Sequence, residues 1–279
     1  MIRGAVAAAC DLARSNGLDF VSPTVLTDAV NVVVWLAPSP VVARIVGEQG
    51  RRRGAFDYAR QELNLVSFLA GAGAPVAPPS AELPPGPHEH EGFIVTFWEF
   101  IEHTQFRLEP RTAAHSLHLV HDALMSYKGP LPPYDLFDEV DALLLDDTLA
   151  PPRDLDALRR VRARITVPHE SMRPLHGDVN LGNVLPSRRG HLWTDFESAC
   201  LGPVEYDLSA LEWEAQWTGA DSHCRAFLRA YGPYDCELVL RLVPVTALLL
   251  TTWNLQVARR VPEALPVARQ RLNWFRRVA

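Results

Sequence analysis

The 279-residue chain predicts an α+β protein of two lobes, a small β-rich N-terminal lobe over residues 1–100 and a larger helical one over residues 101–279. Three observations carry this. β-Branched runs lie early, at Asn31–Leu36 and Val41–Val46. Helical periodicity dominates after residue 101. Between the later helices sits one short stretch, Leu175–Ser198, that concentrates side chains able to do chemistry.

Ile2–Asn16 has helical spacing, and Asn16-Gly17 ends it. Asn31–Leu36 and Val41–Val46 are joined by Ala-Pro-Ser-Pro, so they read as an antiparallel pair. Thr24–Val30, just before them, contains no glycine. Phe56, Ala59, Leu63, Val66 and Ala70 mark one face of a helix that also carries Glu62. Gly71–Gly92 holds six prolines and predicts a stiff, irregular connection. Phe93–Ile101 is the next strand. Ala113, Leu117, Val120, His121 and Leu124 then trace one helical face, on which His121 reads as a hydrogen-bonded core residue. Further helices are expected over Leu136–Leu145, Leu155–Ile165, Leu208–Trp217, His223–Tyr231, Glu237–Val257 (with a kink at Pro244) and Pro266–Arg277.

Composition narrows the function. The chain is 48% hydrophobic and 22% charged, an ordinary globular balance, and its net charge of −6 leaves no basic surplus for nucleic acid. The four cysteines, Cys10, Cys200, Cys224 and Cys236, form no C-x-x-C pair and read as thiols in a reducing cytoplasm. The longest apolar stretch, Leu242–Leu250, is far below the ~20 residues of a membrane span. Neither nucleic acid nor membrane is therefore expected as a partner.

Within Leu175–Ser198, Asp178 is followed five residues on by Asn183 and, after twelve more, by Asp195. Asn183–Leu185 and His191–Thr194 are β-favouring and separated by Pro-Ser-Arg-Arg-Gly, which is turn chemistry. A hairpin would set Asn183 and Asp195 side by side at one end, with Asp178 on the loop entering it. Hard oxygen ligands suit Mg²⁺, and a neighbouring carboxylate suits proton abstraction. Phosphoryl transfer needs both, because the transferred group carries spread negative charge and its acceptor hydroxyl must lose a proton.

His176-Gly177-Asp178, the Asp-x4-Asn spacing, the Asp195-Phe196 pair and Gly202-Pro203-Val204-Glu205-Tyr206-Asp207-Leu208 together resemble the aminoglycoside phosphotransferase family and its choline-kinase-like relatives. That resemblance implies the two-lobed protein-kinase-like fold and ATP-dependent transfer of a γ-phosphate to a hydroxyl of a small molecule, with Mg²⁺. Asp178 would be the base, and Asn183 and Asp195 the metal ligands. His176 would brace the loop and Asp207 anchor it. Glu197 stands where protein kinases have glycine after Asp-Phe.

In the N-terminal lobe, Val42-Ala43-Arg44-Ile45 occupies the place of the kinase Val-Ala-Ile-Lys strand. Arg44 is then the candidate cation for the nucleotide phosphates, with Glu62 its partner; an exposed edge-strand Arg and a solvated Glu fit the same positions. Backbone groups at Glu99, Phe100 and Ile101 would meet the adenine. Thr24–Val30 falls where the family has its phosphate-covering loop. For the acceptor, Glu205, Glu212, Glu214, Trp213 and Trp217 are candidates by position. An aminoglycoside-type antibiotic is the leading acceptor, ahead of choline-like, sugar or macrolide molecules. A non-catalytic nucleotide-binding pseudokinase is the second class, suggested by the glycine-free loop and Arg44.

Overall fold

A computed structural model of the chain describes residues 2–28, 31–47, 54–135, 137–169, 171–218, 221–259 and 261–279. It divides into two compact units, Met1–Gly129 with Gly182–Glu197, and Pro130–Leu181 with Ser198–Ala279.

The first unit is built on a five-stranded antiparallel sheet of order β1-β2-β3-β5-β4, from β1 (Ser22–Asp28), β2 (Val32–Ala37), β3 (Val41–Ile45), β4 (His88–His90) and β5 (Phe93–Glu99). The expected pair forms, with Trp35 opposite Val42 across the Ala-Pro-Ser-Pro turn. Helix α1 (Ile2–Ser15) buries Ala5, Ala8, Ala9 and Ala13, and its small side chains let it pack with Val34, Leu36, Ala43 and Phe97 of the sheet in one core. Helix α2 (Ala55–Gly71) buries Ala59, Leu63, Leu65, Val66 and Leu69.

Two expectations change here. Thr24–Val30 was expected to be a loop, yet up to Asp28 it is part of edge strand β1, which pairs with β2 from Ser22↔Ala37 to Asp28↔Val32; residues 29 and 30 lie outside the described residues. The pairing explains it: an edge strand tolerates Pro23, and the register shift between Val25 and Thr27 absorbs the irregularity. The proline-rich Gly71–Gly92 connection contributes β4, whose three residues pair with β5.

Helix α3 (Pro110–Leu124) and the hairpin of β7 (Val184–Ser187) and β8 (Gly190–Trp193) complete this unit. Glu109 caps α3 by accepting from the backbone N–H of Thr112 at 2.9 Å, and Pro110 supplies the pre-set first turn. Trp193 pins the hairpin down. It is fully buried, its indole N–H donates to Ser116 of α3 at 2.9 Å, and its backbone N–H and C=O bond Pro75 and Ala77 at 2.9 Å each.

The second unit is helical, with α4 (Phe137–Leu144), α5 (Pro152–Arg164), α6 (Val204–Thr218), α7 (Asp221–Tyr231), α8 (Cys236–Ala258) and α9 (Leu265–Val278). The Leu136 start expected for α4 lies outside the described residues. A two-stranded ladder joins β6 (Arg173–Leu175) to β9 (Cys200–Gly202). Asp235 caps α8, its carboxylate accepting from the N–H groups of Glu237 and Leu238 at 2.9 and 3.0 Å. Among the described helices α8 alone is long and apolar enough to cross a membrane, but Leu242, Val243, Val245, Ala247 and Leu248 are buried in the core of this unit, with Pro244 inside the helix. The cysteines are unbridged, with Cys236 the exposed one.

Trp193→Ala removes a large buried side chain and the hydrogen bond its indole makes to Ser116. It is expected to cost about 3–5 kcal/mol, read as a lower denaturant midpoint at unchanged slope; a midpoint within 0.1 M of wild type would contradict the anchoring role.

Candidate active site

The hairpin delivers Asn183 and Asp195 as its spacing predicts. Val184 pairs with Trp193, and one step further the Thr194 N–H donates to the Asn183 carbonyl at 3.0 Å. Asp195 then adopts a left-handed conformation, φ +66°, which few side chains besides Asn and Asp accept readily. Strain of this kind gathers where side-chain direction matters more than stability. Both residues line a cavity of about 380 Å³ that also takes in Arg44, Glu62, Glu99, Phe100 and Ile101. Arg44, Glu62, Asn183, Asp195 and the Glu99–Ile101 segment therefore share one concavity, within one unit.

Arg44 sits at the electrostatic centre of it. Its guanidinium is ion-paired with Glu62, with Asp195 at 2.7 Å and with Glu197. Burial alone would lower its pKa, but the charges of Glu62, Glu197 and Asp195 raise it well above the usual value. One cation cannot neutralise so many carboxylates. Burial, with Glu197 and Asp195 adding repulsion, therefore lifts Glu62 to about 7 despite Arg44, and burial likewise raises Glu197. The reading of Arg44 as an exposed edge-strand residue fails: its side chain is only 14% exposed.

Asn31 was missed from sequence. Its amide donates to Glu197 at 2.8 Å while its carbonyl oxygen accepts from the Gly47 N–H at 2.9 Å, so one side chain braces Glu197 against the end of β3. The available signal was an amide opening an otherwise apolar β-branched run.

Asp178 belongs to the second unit, on a loop locked by its backbone. The buried Asp207 accepts from the N–H groups of His176 and Gly177 at 3.0 and 2.8 Å, the anchoring expected of it. His176 is fully buried and its Nδ1 accepts from the Asp178 N–H at 3.3 Å, so it braces the loop. Gly177 has φ +84°, and a Cβ there would lie 1.9 Å from the Ser198 carbonyl oxygen. Only glycine fits.

The proposed acceptor residues divide. Glu205 is buried and accepts from the Asp235 N–H at 3.1 Å, a tie to the start of α8; Glu212 accepts from Gln216 at 3.1 Å. Trp213, Trp217 and Glu214 instead gather around Arg271 of α9, a residue the sequence did not suggest. Its guanidinium lies 5.1 Å over the Trp213 ring and 5.3 Å over Trp217, and it donates to the Leu250 carbonyl at 3.0 Å. Burial lowers the pKa of Arg271 against the charges of Glu214 and Asp178, and burial raises that of Glu214.

No group of three or more His, Cys, Asp or Glu side chains able to hold a metal occurs among the described residues. Mg²⁺ does not need one, since it binds through one or two protein oxygens and takes the rest from phosphates and water. Asn183 and Asp195 fit that requirement, and the Asp195 side chain remains 37% exposed beside Arg44.

A family model described as APH, phosphotransferase enzyme family, matches residues 27–242. No curated protein matches the chain. Solved structures of similar fold include the amicoumacin kinase hAmiN in complex with AMP-PNP, Ca²⁺ and Ami (14% identity, TM-score 0.67, 100% of this chain and 96% of that one). Another is a GDP complex of aminoglycoside 2'-phosphotransferase-IIIa (16% identity, TM-score 0.69, 97% and 98% covered). A third is the choline kinase LicA from Streptococcus pneumoniae (14% identity, TM-score 0.67, 96% and 99% covered). At these identities the likeness is one of fold, and it is the two-lobed kinase-like α+β fold expected from sequence.

The raised Glu62 pKa has a definite sign. Between about pH 4.5 and 7 the folded protein holds a proton that the unfolded chain has released, so this group's contribution to stability falls as pH rises through that window. Glu62→Gln removes the effect, so the stability of wild type relative to the variant should decline across that range in urea titrations. Parallel pH profiles would show that Glu62 is ionised in the folded state throughout.

Proposed function

The chain belongs to the phosphotransferase enzyme family, and on that premise we propose how its residues divide the work of a kinase that phosphorylates a hydroxyl of a small molecule with ATP and Mg²⁺. The observation that carries the assignment is the cavity in which Arg44, Asn183 and Asp195 share walls with the Glu99–Ile101 backbone. It offers an apolar berth for a base and a charged berth for phosphates.

In this reading Glu99, Phe100 and Ile101 receive the nucleotide base. Asn183 and Asp195 would hold Mg²⁺, which would supply charge neutralisation at the phosphates. Arg44 contacts the α- and β-phosphates, and Glu62 and Glu197 hold its guanidinium in place. Asp178 orients the acceptor hydroxyl and takes its proton as the oxygen bonds to the γ-phosphorus; the bond to the β–γ bridging oxygen breaks and ADP leaves. The Asp207 and His176 contacts position Asp178 before substrate arrives, so little ordering is left for the reaction itself.

The acceptor is proposed to be an aminoglycoside-type antibiotic, with the carboxylates of Glu205, Glu212 and Glu214 as candidates to meet it. A choline-like ammonium is less well served, because Arg271 already lies over the faces of Trp213 and Trp217.

Two variants test the roles. Asp195→Ala should abolish the extra rise in melting temperature that Mg²⁺ adds to ATP, compared with ATP in EDTA; an equal rise with and without metal in wild type would remove Asp195 and Asn183 from the metal site. Asp178→Asn keeps the size of the side chain and discards its basicity. It should lower kcat by roughly 10²–10⁴ with the KM for ATP little changed, whether the acceptor is an aminoglycoside or water. Equal turnover by wild type and variant would favour a nucleotide-binding role without Asp178 as base.

A further inference from the structure

A second cavity, of about 640 Å³, lies wholly within the second unit, where the end of α5, the first half of α8 and α9 meet. It shares no lining residue with the cavity around Arg44. A volume of this size suits a small organic molecule. Most of its lining is apolar, from Val161, Ile165, Val243, Pro244 and Trp274. Trp274 is 6% exposed, and its indole N–H donates to Gln216 Oε1 at 3.2 Å, which fixes the ring.

The charge on this cavity is one-sided. Its charged residues are Arg164 and Arg241, and no carboxylate lines it, in a chain whose net charge is −6. Neither guanidinium has an ion-pair partner among the described residues. Arg159, Arg162, Arg259 and Arg276 of the same unit are by contrast paired, with Asp147, Asp141, Asp146 and Asp154. Arg164 makes one long contact, its Nη1 donating to the Val278 carbonyl at 3.4 Å, so most of its donors stay available.

The same lining offers an acceptor. Pro244 has no N–H to give to the carbonyl four residues back, so the Leu240 carbonyl lacks its regular helical donor. Leu240 lines the cavity and is 56% exposed. An inorganic anion would leave the apolar lining unused, and a neutral hydrocarbon would leave both guanidinium groups unused. A molecule that joins an oxyanion to a flat apolar body uses both, because paired ionic hydrogen bonds and apolar burial then act together.

We propose that this cavity is a second ligand site, for an aromatic organic anion whose carboxylate or other oxyanion pairs with Arg164 and Arg241 while its rings pack on Trp274 and Pro244. The site lies outside the kinase reading, which gives none of these four residues a part in phosphoryl transfer, so the two fail separately.

Naphthoate, its uncharged counterpart naphthamide, and inorganic phosphate serve as probes, titrated by calorimetry into wild type, Arg164→Gln and Arg241→Gln. Both arginines are exposed, so the variants should melt as wild type does. Wild type should bind naphthoate about 10-fold more tightly than naphthamide, the factor a charge-assisted hydrogen bond supplies, and phosphate more weakly than naphthoate. Each variant should lose about 10-fold in naphthoate affinity and change little towards naphthamide. Raising salt from about 50 to 500 mM should weaken naphthoate binding selectively, since exposed charges are screened. Saturating ATP with Mg²⁺ should leave naphthoate affinity unchanged. Displacement of naphthoate by ATP would place the anion in the cavity around Arg44 and overturn the inference. So would equal affinities for naphthoate and naphthamide, or phosphate binding as tightly as naphthoate. Naphthoate binding that is absent at millimolar concentration, or that neither arginine variant weakens, overturns it as well.

Discussion

The charge balance around Arg44 governs the first unit's chemistry. One guanidinium is shared by Glu62, Asp195 and Glu197 in a site that is mostly removed from water. Coulomb energy in such surroundings is several times that in bulk solvent, so the pairing ties β3, α2 and the Asp195 turn together. The excess negative charge is not neutralised within the protein. Together with burial, the larger cause, it raises the pKa of the most deeply buried partner, Glu62, to about 7. Buried ion pairs often add little net stability, because desolvation offsets the attraction. Their value at a site of this kind is geometric: they hold a cation and a carboxylate facing a cavity at fixed separation.

The proposed base is controlled by different means. Around Asp178 the chain relies on backbone hydrogen bonds and steric exclusion rather than on ion pairs. Asp207 satisfies two successive buried amides, and the close approach of Gly177 to the Ser198 carbonyl leaves no room for a side chain. That accounts physically for glycine where protein kinases carry arginine. A longer residue would meet backbone, which cannot swing aside.

The surroundings of Arg271 show how a helix bundle builds polarity into a core. Arg271 enters from the last helix, over two tryptophans of α6 and against a carbonyl of α8. Three elements separated by dozens of residues thereby meet at one guanidinium, whose charge is felt by Asp178 and Glu214.

By itself, the order and spacing of residues determined the fold class, the antiparallel β2–β3 pair, the hairpin that places Asn183 against Thr194, and the locking role of Asp207. These are local or motif-borne features. Period, turn chemistry and a spaced set of carboxyl and amide residues are written within windows of a few dozen residues. Only the tertiary structure decided the rest. Strand β1 was hidden because an edge strand is defined by its partner, and β4 because three paired residues leave no periodic signal. Asn31 on Glu197, Trp193 on Ser116, and Arg271 over Trp213 are contacts across 166, 77 and 58 residues of chain. Long-range burial and hydrogen-bond completion depend on which surfaces meet, and no single stretch of sequence records that.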